Sequence, residues 1–333
     1  MYLYLFLPSN LKGFPMVQII HSRMALFAVA RQIYRQQKLV RINPAKLDVL
    51  AATFDPATNK PADWNFYLPP ALQGEDADPA AIFYIMTVIS ALQFCFWEKK
   101  ADGSFTHWSY TNKKGESKLG PVGMTDLLLD AYADGKFPGV HLKAGDVSAV
   151  FPALLKGMPM ARQRAAMLKI MAQAYRNGTL TDLVRALVDD GCVTEVASNM
   201  AHMMPTLFRD PFLRKAQLAL GMTAQNLRSK GHNMDIELTA YADYRVPQVL
   251  RHYGVLEYAP VLAKQVDGQH ILPANGEEEM AIRAAMLVAT AYLAEKLNLT
   301  GPDVDSWLFM KTRQDAAFKA NAKPFHLTVT TAY

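Results

Sequence analysis

Apolar residues recur at helical spacing along most of this 333-residue chain, and this periodicity constrains the possible folds more than any other feature. The longest such stretch spans residues 277–298 and stops before Gly301-Pro302, a pair that ends helices. Its predicted apolar stripe comprises Ile282, Met286, Ala289, Leu293 and Leu297. Further helices are predicted at residues 22–37, 80–94, 123–134, 146–155, 159–176, 181–189, 211–229, 247–253, 256–266 and 304–319. The fold is therefore expected to be mainly α.

Two stretches interrupt this helical pattern. Aromatic and threonine-bearing runs at residues 96–99 and 105–110 flank Asp102-Gly103, which is a good β-hairpin signal. This small hairpin is expected to be the only sheet. A polar, proline-bearing stretch at residues 54–80 predicts a long surface loop. Three aromatic residues are expected to hold this loop against the body of the protein, namely Trp64, Phe66 and Tyr67.

The composition suits a single globular domain, since 51% of the residues are hydrophobic and can form a large core. No linker rich in Pro, Gly or Ser divides the chain. We therefore predict an N-terminal extension at residues 1–22 and one large helical domain at residues 23–333. The apolar run at residues 1–7 is too short for a secretory signal or a membrane span. Cys95 and Cys192 belong to no CxxC pair, so a reduced, cytoplasmic protein is expected.

Charge and motif content narrow the possible ligands. The formal charge of +5 and the pI of about 9.0 suit an anionic small molecule as well as a polyanion. No basic run suggests a stable nucleic-acid partner. The eight histidines form no HExxH motif, so no metal site is predicted. Gly115, Gly120 and Gly123 lack the pattern of a P-loop or a dinucleotide site and are predicted to form an ordinary loop.

Residues 238–250 place an acid, two aromatic rings and a cation immediately before a predicted helix. Pro247 suits the first helical position, because its φ is fixed and it lacks the N–H that a first turn leaves unpaired. Asp243, Tyr244 and Arg245 are then expected on the turn that enters the helix. N–H groups and the helix dipole favour a carboxylate or a bound anion there. The structural alternative is that Asp243 is only a helix cap or an ion-pair partner.

Other clusters offer stacking surfaces, cations and carboxylates. They are the aromatic run Gln93-Phe94-Cys95-Phe96-Trp97, the charged runs Phe208-Arg209-Asp210 and Arg214-Lys215-Ala216-Gln217, and Pro324-Phe325-His326. Each cluster alone is more typical of core or solvent-exposed surface than of a site. Together they could hold an aromatic base attached to a phosphorylated sugar.

These motifs resemble the queuosine salvage protein family of queuosine 5′-phosphate N-glycosylase/hydrolases. The strongest match runs from Ala242 to Leu250 and continues through Gly254-Val255-Leu256 and Tyr258. The supporting matches follow in the family's order: residues 94–97, 208–210 and 215–217, the helix bearing Glu279 and Arg283, Trp307, and residues 324–326. The similarity spans about residues 23–333.

The chain departs from the family pattern at four positions. Met222 stands where the family has an Asp, five residues after the Gln of its Arg-Ala-Gln motif. Ser90 and Gln93 replace the Asp and Asn of the family's aromatic motif. Ala281 replaces a Glu two residues before the position of Arg283. The resemblance therefore identifies a divergent member.

The resemblance implies an all-helical fold related to helical DNA glycosylases. It also implies hydrolysis of the N-glycosidic bond of queuosine 5′-phosphate, which releases queuine and ribose 5-phosphate without a metal or organic cofactor. Asp243 is the expected catalytic residue, because a carboxylate stabilises the oxocarbenium-like charge that develops during cleavage. The expected substrate contacts are Phe94, Phe96, Trp97 and Tyr244 for the base, Arg209, Arg214, Lys215 and Arg245 for the phosphate, Asp210 for the base or ribose hydroxyls, and His326 as a second acid–base group or phosphate contact.

Two other functions stay open on sequence grounds. The missing acids at positions 90, 222 and 281 suit a protein that binds a deazaguanine base or nucleotide without cleaving it. The basic pI also permits a helical nucleic-acid-binding protein, although no basic stripe or nucleic-acid motif supports that function. Within the hydrolase hypothesis, another modified nucleoside or nucleotide is an alternative substrate.

Overall fold

The computed structural model describes residues 23–59, 64–189 and 193–333. The predicted extension at residues 1–22 and Cys192 lie outside these described residues. Fifteen α-helices occur in the described part of the chain: α1 (Arg23–Gln36), α2 (Pro44–Ala51), α3 (Pro79–Ala91), α4 (Gly120–Ala133), α5 (Ala144–Leu154), α6 (Ala161–Arg176), α7 (Thr179–Asp189), α8 (Val193–Met203), α9 (Pro205–Phe208), α10 (Arg214–Ser229), α11 (Arg245–His252), α12 (Pro260–Asp267), α13 (Glu277–Leu297), α14 (Gly301–Gln314) and α15 (Ala316–Asn321). The prediction of a mainly α protein is confirmed.

Helix α3 shows how local sequence sets a helix start. The Asp78 side chain accepts hydrogen bonds from the N–H groups of Ala80 and Ala81, and Pro79 occupies the first helical position. The ten residues from Ile82 to Ala91 are all buried. Because every face of this stretch is covered, α3 forms the centre of one half of the core.

Several helix boundaries differ from the sequence-based predictions. Helix α11 begins at Arg245, so Pro247 is its third residue rather than its first. Pro247 still lies in the first turn, where its missing N–H costs no hydrogen bond. The stretch predicted as one helix at residues 304–319 is two helices separated at Asp315, whose side chain caps α15 by accepting the N–H of Phe318. Three helices were not predicted, namely α2, α8 and α9.

Helix α13 does not have the single apolar stripe that its sequence predicted. Residues 279–290 are buried on all faces, including the side chains of Glu279, Arg283 and Thr290. Small residues such as Ala281 leave space for neighbouring helices to approach closely on every side. The helix is exposed to solvent at its ends, at Glu277 in the first turn and in the turns beyond Thr290.

The described strands form three antiparallel pairs rather than the single predicted hairpin. The predicted hairpin is confirmed as β2 (Trp97–Lys99) paired with β3 (Phe105–His107). A second hairpin joins β4 (Ser109–Thr111) to β5 (Ser117–Leu119), and a third pair joins β1 (Val40–Ile42) to β6 (Leu256–Tyr258). The strand β6 therefore occupies the start of the stretch that was predicted as a helix at residues 256–266.

The predicted glycine loop is mostly not a loop. Gly115 lies in the turn of the second hairpin, whereas Gly120 and Gly123 lie in the first turns of α4. A Cβ on Gly123 would lie 2.3 Å from the carbonyl oxygen of Lys118, so this glycine lets the helix start pack directly against strand β5.

The predicted aromatic contacts of the loop at residues 54–80 are confirmed in part. Tyr67 is buried, and the indole N–H of Trp64 donates a 2.6 Å hydrogen bond to Gln225 on α10. Phe66 is 58% exposed, so it does not hold the loop against the body of the protein. Its exposed ring instead packs against the rings of Trp64 and the buried Tyr67.

The described core contains two apolar clusters. The first surrounds α3 and α10, and the second surrounds α11, α13 and α14. Residues 238–246 run between the two clusters without belonging to a strand. Leu238 and Tyr241 pack into the first cluster, whereas Ala240, Ala242 and Val246 pack into the second. The motif that the sequence analysis singled out is thus held on both sides by the core.

Candidate active site

Asp243 is held by the start of α11. Its Oδ1 accepts hydrogen bonds from the N–H groups of Arg245 at 2.8 Å and Val246 at 3.3 Å. These donors and the positive end of the helix dipole lie against the negative charge of the carboxylate. The side chain keeps 15% of its surface exposed, so the carboxylate group is not sealed in the core. The structure therefore confirms that the acid lies at the helix entry.

The start of α10 supplies a cation beside this acid. Arg214 donates from Nη1 to the carbonyl oxygen of Gln93 at 2.8 Å, and its Nη2 lies 3.8 Å from Oδ2 of Asp243. The backbone N–H of Arg214 donates to Oδ2 of Asp210 at 2.9 Å. Asp210 and Asp243 therefore lie on either side of Arg214, one at its backbone and one at its guanidinium group.

A buried ion-pair network extends from Asp210 into α13. Nη2 of Arg283 lies 2.8 Å from the Asp210 carboxylate, and Nη1 of Arg283 lies 3.0 Å from Oε1 of Glu279. The Nε of Arg283 donates to the carbonyl oxygen of Ala242, next to Asp243, at 2.9 Å. Burial alone would lower the pKa of Arg283, but the carboxylates of Asp210 and Glu279 outweigh it and raise the pKa. This network fixes the backbone beside Asp243.

Tyr333 and His326 continue the network. The hydroxyl of Tyr333 donates to Oε1 of Glu279 at 2.8 Å and lies 3.2 Å from Nε2 of His326. Burial raises the pKa of Glu279, although Arg283 opposes this shift. Burial, with a contribution from the charge of Arg283, lowers the pKa of His326 to about 3. The His326 ring is therefore neutral at neutral pH. Both Nδ1 of His326 and Oε2 of Glu279 are buried without a hydrogen-bond partner in the protein.

The rings of Phe94 and Phe96 are buried against cations. The guanidinium carbon of Arg164 lies 4.1 Å from the Phe94 ring centroid and 5.0 Å from that of Phe96. Arg164 also donates to the carbonyl oxygen of Phe94, and burial lowers the pKa of this arginine to about 10. The ammonium group of Lys215 lies 5.0 Å from the Phe94 centroid and donates to the carbonyl oxygen of Ala91 at 3.1 Å. Burial lowers the pKa of Lys215 well below its usual value.

A second series of rings runs from the hairpin to Asp243. Trp97 stacks on Phe105 with centroids 5.6 Å apart, and Phe105 meets Phe325 edge-on at 6.0 Å. Phe325 stacks on Tyr244 at 4.5 Å. The guanidinium carbon of Arg245 lies 5.0 Å from the Phe325 centroid, and Nη1 of Arg245 donates to Oε1 of Gln248. Tyr244 and Arg245 are half-buried, so this end of the series reaches the surface.

The structure brings most of the predicted site residues into one neighbourhood. Asp210, Arg214, Asp243 and His326 belong to the polar network, and the remaining buried candidates pack around it through the contacts given above. Arg209 differs, because its side chain is exposed while Phe208 and Asp210 on either side are buried.

Sequence reasoning missed several residues of this neighbourhood. Arg164, Asp305 and Tyr333 received no role, and Glu279 and Arg283 appeared only as family matches. One available signal was the pair Glu279 and Arg283, spaced by four residues in a helix whose other charged residues lie at its two ends. Charges at that spacing on a buried helix indicate an internal ion pair.

No group of three or more His, Cys, Asp or Glu side chains that could hold a metal ion occurs among the residues that the structure describes. Among the helices of those residues, none is long and apolar enough to cross a membrane.

The fold and site define a mainly helical protein with a helix-capped carboxylate beside an arginine, a buried acid–arginine network and a border of aromatic rings. A family profile described as "Queuosine salvage protein" matches residues 72–333. The chain belongs to this family.

Three curated relatives support the same assignment, and each is named queuosine 5′-phosphate N-glycosylase/hydrolase. The protein of Sphaerobacter thermophilus is 26% identical over 94% of this chain and 98% of its own length. The protein of Dictyostelium discoideum is 26% identical over 64% of both chains. The protein of Nematostella vectensis is 26% identical over 68% of this chain and 70% of its own.

Proposed function

We propose that this protein hydrolyses the N-glycosidic bond of queuosine 5′-phosphate, or of a closely related modified nucleotide or nucleoside. The names of the relatives and the family assignment support this activity. The observation that carries the proposal is the placement of Asp243, with one oxygen held by two backbone N–H groups and the side chain still partly exposed beside Arg214.

In the proposed reaction the bond between the anomeric carbon and the base nitrogen breaks. Water supplies the new oxygen on that carbon, and a proton goes to the departing base, so the products are queuine and ribose 5-phosphate. The Asp243 carboxylate stabilises the positive charge at the anomeric carbon and orients the attacking water. This role suits an acid whose geometry is already fixed by the start of α11.

The aromatic residues are proposed to hold the base. Tyr244 and Phe325 stack at the accessible end of the ring series, so a deazaguanine ring could extend that stack. Trp97 supports these rings from behind through Phe105. Phe94 and Phe96 lie deeper, where they would form the wall of the base pocket.

The cations fall into two groups by accessibility. Arg245 is half-buried and Arg209 is exposed, so these two are the proposed phosphate contacts that solvent and substrate can reach. Arg214 is proposed to contact the phosphate or ribose from beside Asp243. Lys215 is buried and its ammonium group is bonded to the carbonyl oxygen of Ala91, so its proposed contribution to the phosphate site is mainly electrostatic.

Asp210 and His326 are proposed as polar contacts to the base or ribose hydroxyls. Asp210 acts while paired with Arg283, which keeps its charge compensated. His326 is neutral at neutral pH, so its unpartnered Nδ1 suits a hydrogen bond better than a contact to a phosphate charge. The reaction requires no metal or organic cofactor, and we propose that it takes place in the cytoplasm without a stable nucleic-acid partner.

Incubation of the purified protein with queuosine 5′-phosphate tests the activity directly, with free queuine as the product to detect. Replacement of Asp243 by Asn keeps its size while removing its charge, and should lower the rate at least ~10²-fold. Asp78→Asn is the matched control. Asp78 also accepts hydrogen bonds from two backbone N–H groups at a helix start, but it is exposed and is not a residue of the candidate site. Equal rates for the wild type and D243N would remove Asp243 from the mechanism.

The alternative function is a binder that does not cleave its ligand. Met222 favours it, because this side chain is fully buried in an apolar cluster where the family pattern has an acid. Ser90 also lacks a carboxylate, and its hydroxyl is committed to the carbonyl oxygen of Lys215 at 2.6 Å. Saturable binding of queuine or its 5′-nucleotide, with no product formed, would establish this alternative in place of the hydrolase.

A further inference from the structure

The segment that carries Asp243 depends on side chains for its hydrogen bonds. Residues 238–243 are almost entirely buried and have no partner strand, so their N–H groups must find acceptors elsewhere. Oε1 of Gln217 on α10 accepts the N–H of Thr239 at 2.9 Å, and Oδ2 of Asp305 on α14 accepts the N–H of Tyr241 at 2.9 Å. Two helices thus hold the segment from opposite clusters of the core.

Asp305 is connected to Asp243 through one residue. The carbonyl oxygen of Tyr241, whose N–H is bound by Asp305, accepts the N–H of Asp243 at 2.7 Å. A shift of the peptide at Tyr241 would therefore move the backbone of Asp243 as well.

Helix α14 lies directly against this segment. Gly301 precedes Asp305 by four residues, which places both on one face of the helix. A Cβ on Gly301 would lie 2.4 Å from the carbonyl oxygen of Leu238 and 2.5 Å from the carbonyl carbon of Thr239. Since no side chain separates the helix from the segment at Gly301, the close packing keeps the Asp305 carboxyl group within hydrogen-bond distance of the N–H of Tyr241.

We infer that Asp305 is a positioning residue for the proposed hydrolysis, which holds the backbone of residues 241–243 so that the Asp243 carboxylate keeps its place beside Arg214. The expected effect of Asp305 on kcat rests on the proposed function. Its expected effect on the backbone of residues 241–243 does not. For this role Asp305 must supply an oxygen that accepts a hydrogen bond, and it need not carry a negative charge.

The raised pKa of Asp305 agrees with this role. Burial raises the pKa of Asp305 well above its usual value, and the nearby charge of Asp243 raises it further. A protonated carboxyl still accepts the N–H of Tyr241 through its carbonyl oxygen. In that protonated form the side chain adds no second negative charge beside Asp243.

Two substitutions at position 305 distinguish a need for a hydrogen-bond acceptor from a need for an acid. Asp305→Asn keeps an oxygen acceptor, so its kcat should stay within about 3-fold of wild type. Asp305→Leu has similar size but no acceptor, and its kcat should fall at least about 10-fold, with KM changed less than about 3-fold, because a small displacement of a catalytic group is costly. Asp303→Asn is the matched control on the same helix, since Asp303 bonds to Thr300 and Gln225 rather than to the segment.

Rates are normalised to the folded fraction of each variant, because a loss of stability alone would leave the kcat of the folded molecules unchanged. Loss of kcat in both D305N and D305L would overturn the inference, because the acid itself would then be required. Wild-type kcat in D305L would overturn it as well.

Hydrogen–deuterium exchange provides a readout that does not depend on activity. Peptides covering residues 238–246 should exchange faster in D305L than in the wild type, and at the wild-type rate in D305N. Absence of hydrolysis in the wild type, together with this exchange pattern, would reject the proposed function and leave the structural role of Asp305 intact. Unchanged exchange in D305L would reject the structural role itself.

Discussion

Nη2 of Arg214 lies 3.8 Å from Oδ2 of Asp243, a distance too long for a direct hydrogen bond but within the range of an ion pair. The other terminal nitrogen of Arg214 is fixed by the carbonyl oxygen of Gln93. Since the two groups are not joined by a direct hydrogen bond, a water or a polar group of a ligand bound beside them can contact both. The pair therefore offers a cation and an anion side by side to one bound group.

We expect Arg214→Met to lower kcat/KM for queuosine 5′-phosphate at least about 10-fold, because it removes a fixed charge from the site. Arg214→Lys should recover only part of this loss, since a lysine cannot bond to Gln93 and face Asp243 with two separate nitrogens. Steady-state kinetics of both variants measure the effect. Arg41→Met, in an exposed ion pair with Glu257, is the control. Wild-type kcat/KM in R214M would contradict a role for this arginine.

The buried network around Arg283 predicts that loss of this arginine lowers stability much more than loss of a lysine from an exposed ion pair. Arg283→Met leaves Asp210 and Glu279 buried without their cation, and should lower the free energy of unfolding by about 3–5 kcal/mol. Lys296→Met breaks the pair with Asp48, in which both side chains are at least half exposed, and should cost only ~0–1 kcal/mol. Urea denaturation of both variants measures the difference. Similar losses would show that the buried network is not a major source of stability.

His326 predicts a pH dependence of stability. Its pKa is lowered from 6.5 to about 3 in the folded protein, mainly by burial. Between these values the unfolded chain binds a proton that the folded protein does not, so the contribution of His326 is complete above pH 6.5 and is lost as the pH falls towards 3. The slope is at most about 1.4 kcal/mol per pH unit.

The measurement is the free energy of unfolding at several pH values, compared between the wild type and His326→Gln. The glutamine variant should have a smaller slope in this window. His202→Gln changes an exposed histidine and should leave the slope unchanged. An identical slope in H326Q would mean that His326 is protonated to the same extent in both states.

The contact between α14 and residues 238–240 predicts that Gly301 tolerates no side chain. Gly301→Ala should lower the free energy of unfolding by more than ~1 kcal/mol, because its Cβ would meet backbone atoms that cannot rotate away. Gly74→Ala is the control, since its Cβ would meet no atom within 4 Å, and it should stay within about 0.5 kcal/mol of wild type. Thermal unfolding of both variants decides the question, and equal stabilities would show that α14 can move away from the segment.

Local signals predicted much of this fold. The cap at Asp78 and Pro79 fixes the start of α3, and Asp102-Gly103 fixes the first hairpin, because each feature depends on residues only a few positions apart. Pairing between distant residues was not predictable in this way. Strand β6 forms because Leu256–Tyr258 pairs with Val40–Ile42, more than 200 positions earlier in the chain. The residues around position 256 carry no signal that identifies this partner.

The candidate site likewise contains residues with a local sequence signal and residues whose partners are distant in the chain. Asp243 was correctly expected at a helix entry, because Pro247 and the residues around it carry a local signal; its catalytic role stays a prediction. Asp305 and Tyr333 carried no such signal, since their partners Tyr241 and Glu279 lie 64 and 54 positions away. The burial of α13 on all faces also depends on helices that surround it from distant parts of the chain.

Within residues 238–243, the N–H groups of Thr239 and Tyr241 donate hydrogen bonds to the side chains of Gln217 and Asp305 rather than to a neighbouring strand. In a β-sheet the acceptors are main-chain carbonyl groups, which side-chain substitution leaves in place. Here they come from side chains, so each is open to mutation on its own. Protein engineering could therefore adjust the geometry of the acid at position 243 from two positions on other helices while every proposed substrate-contacting residue stays the same.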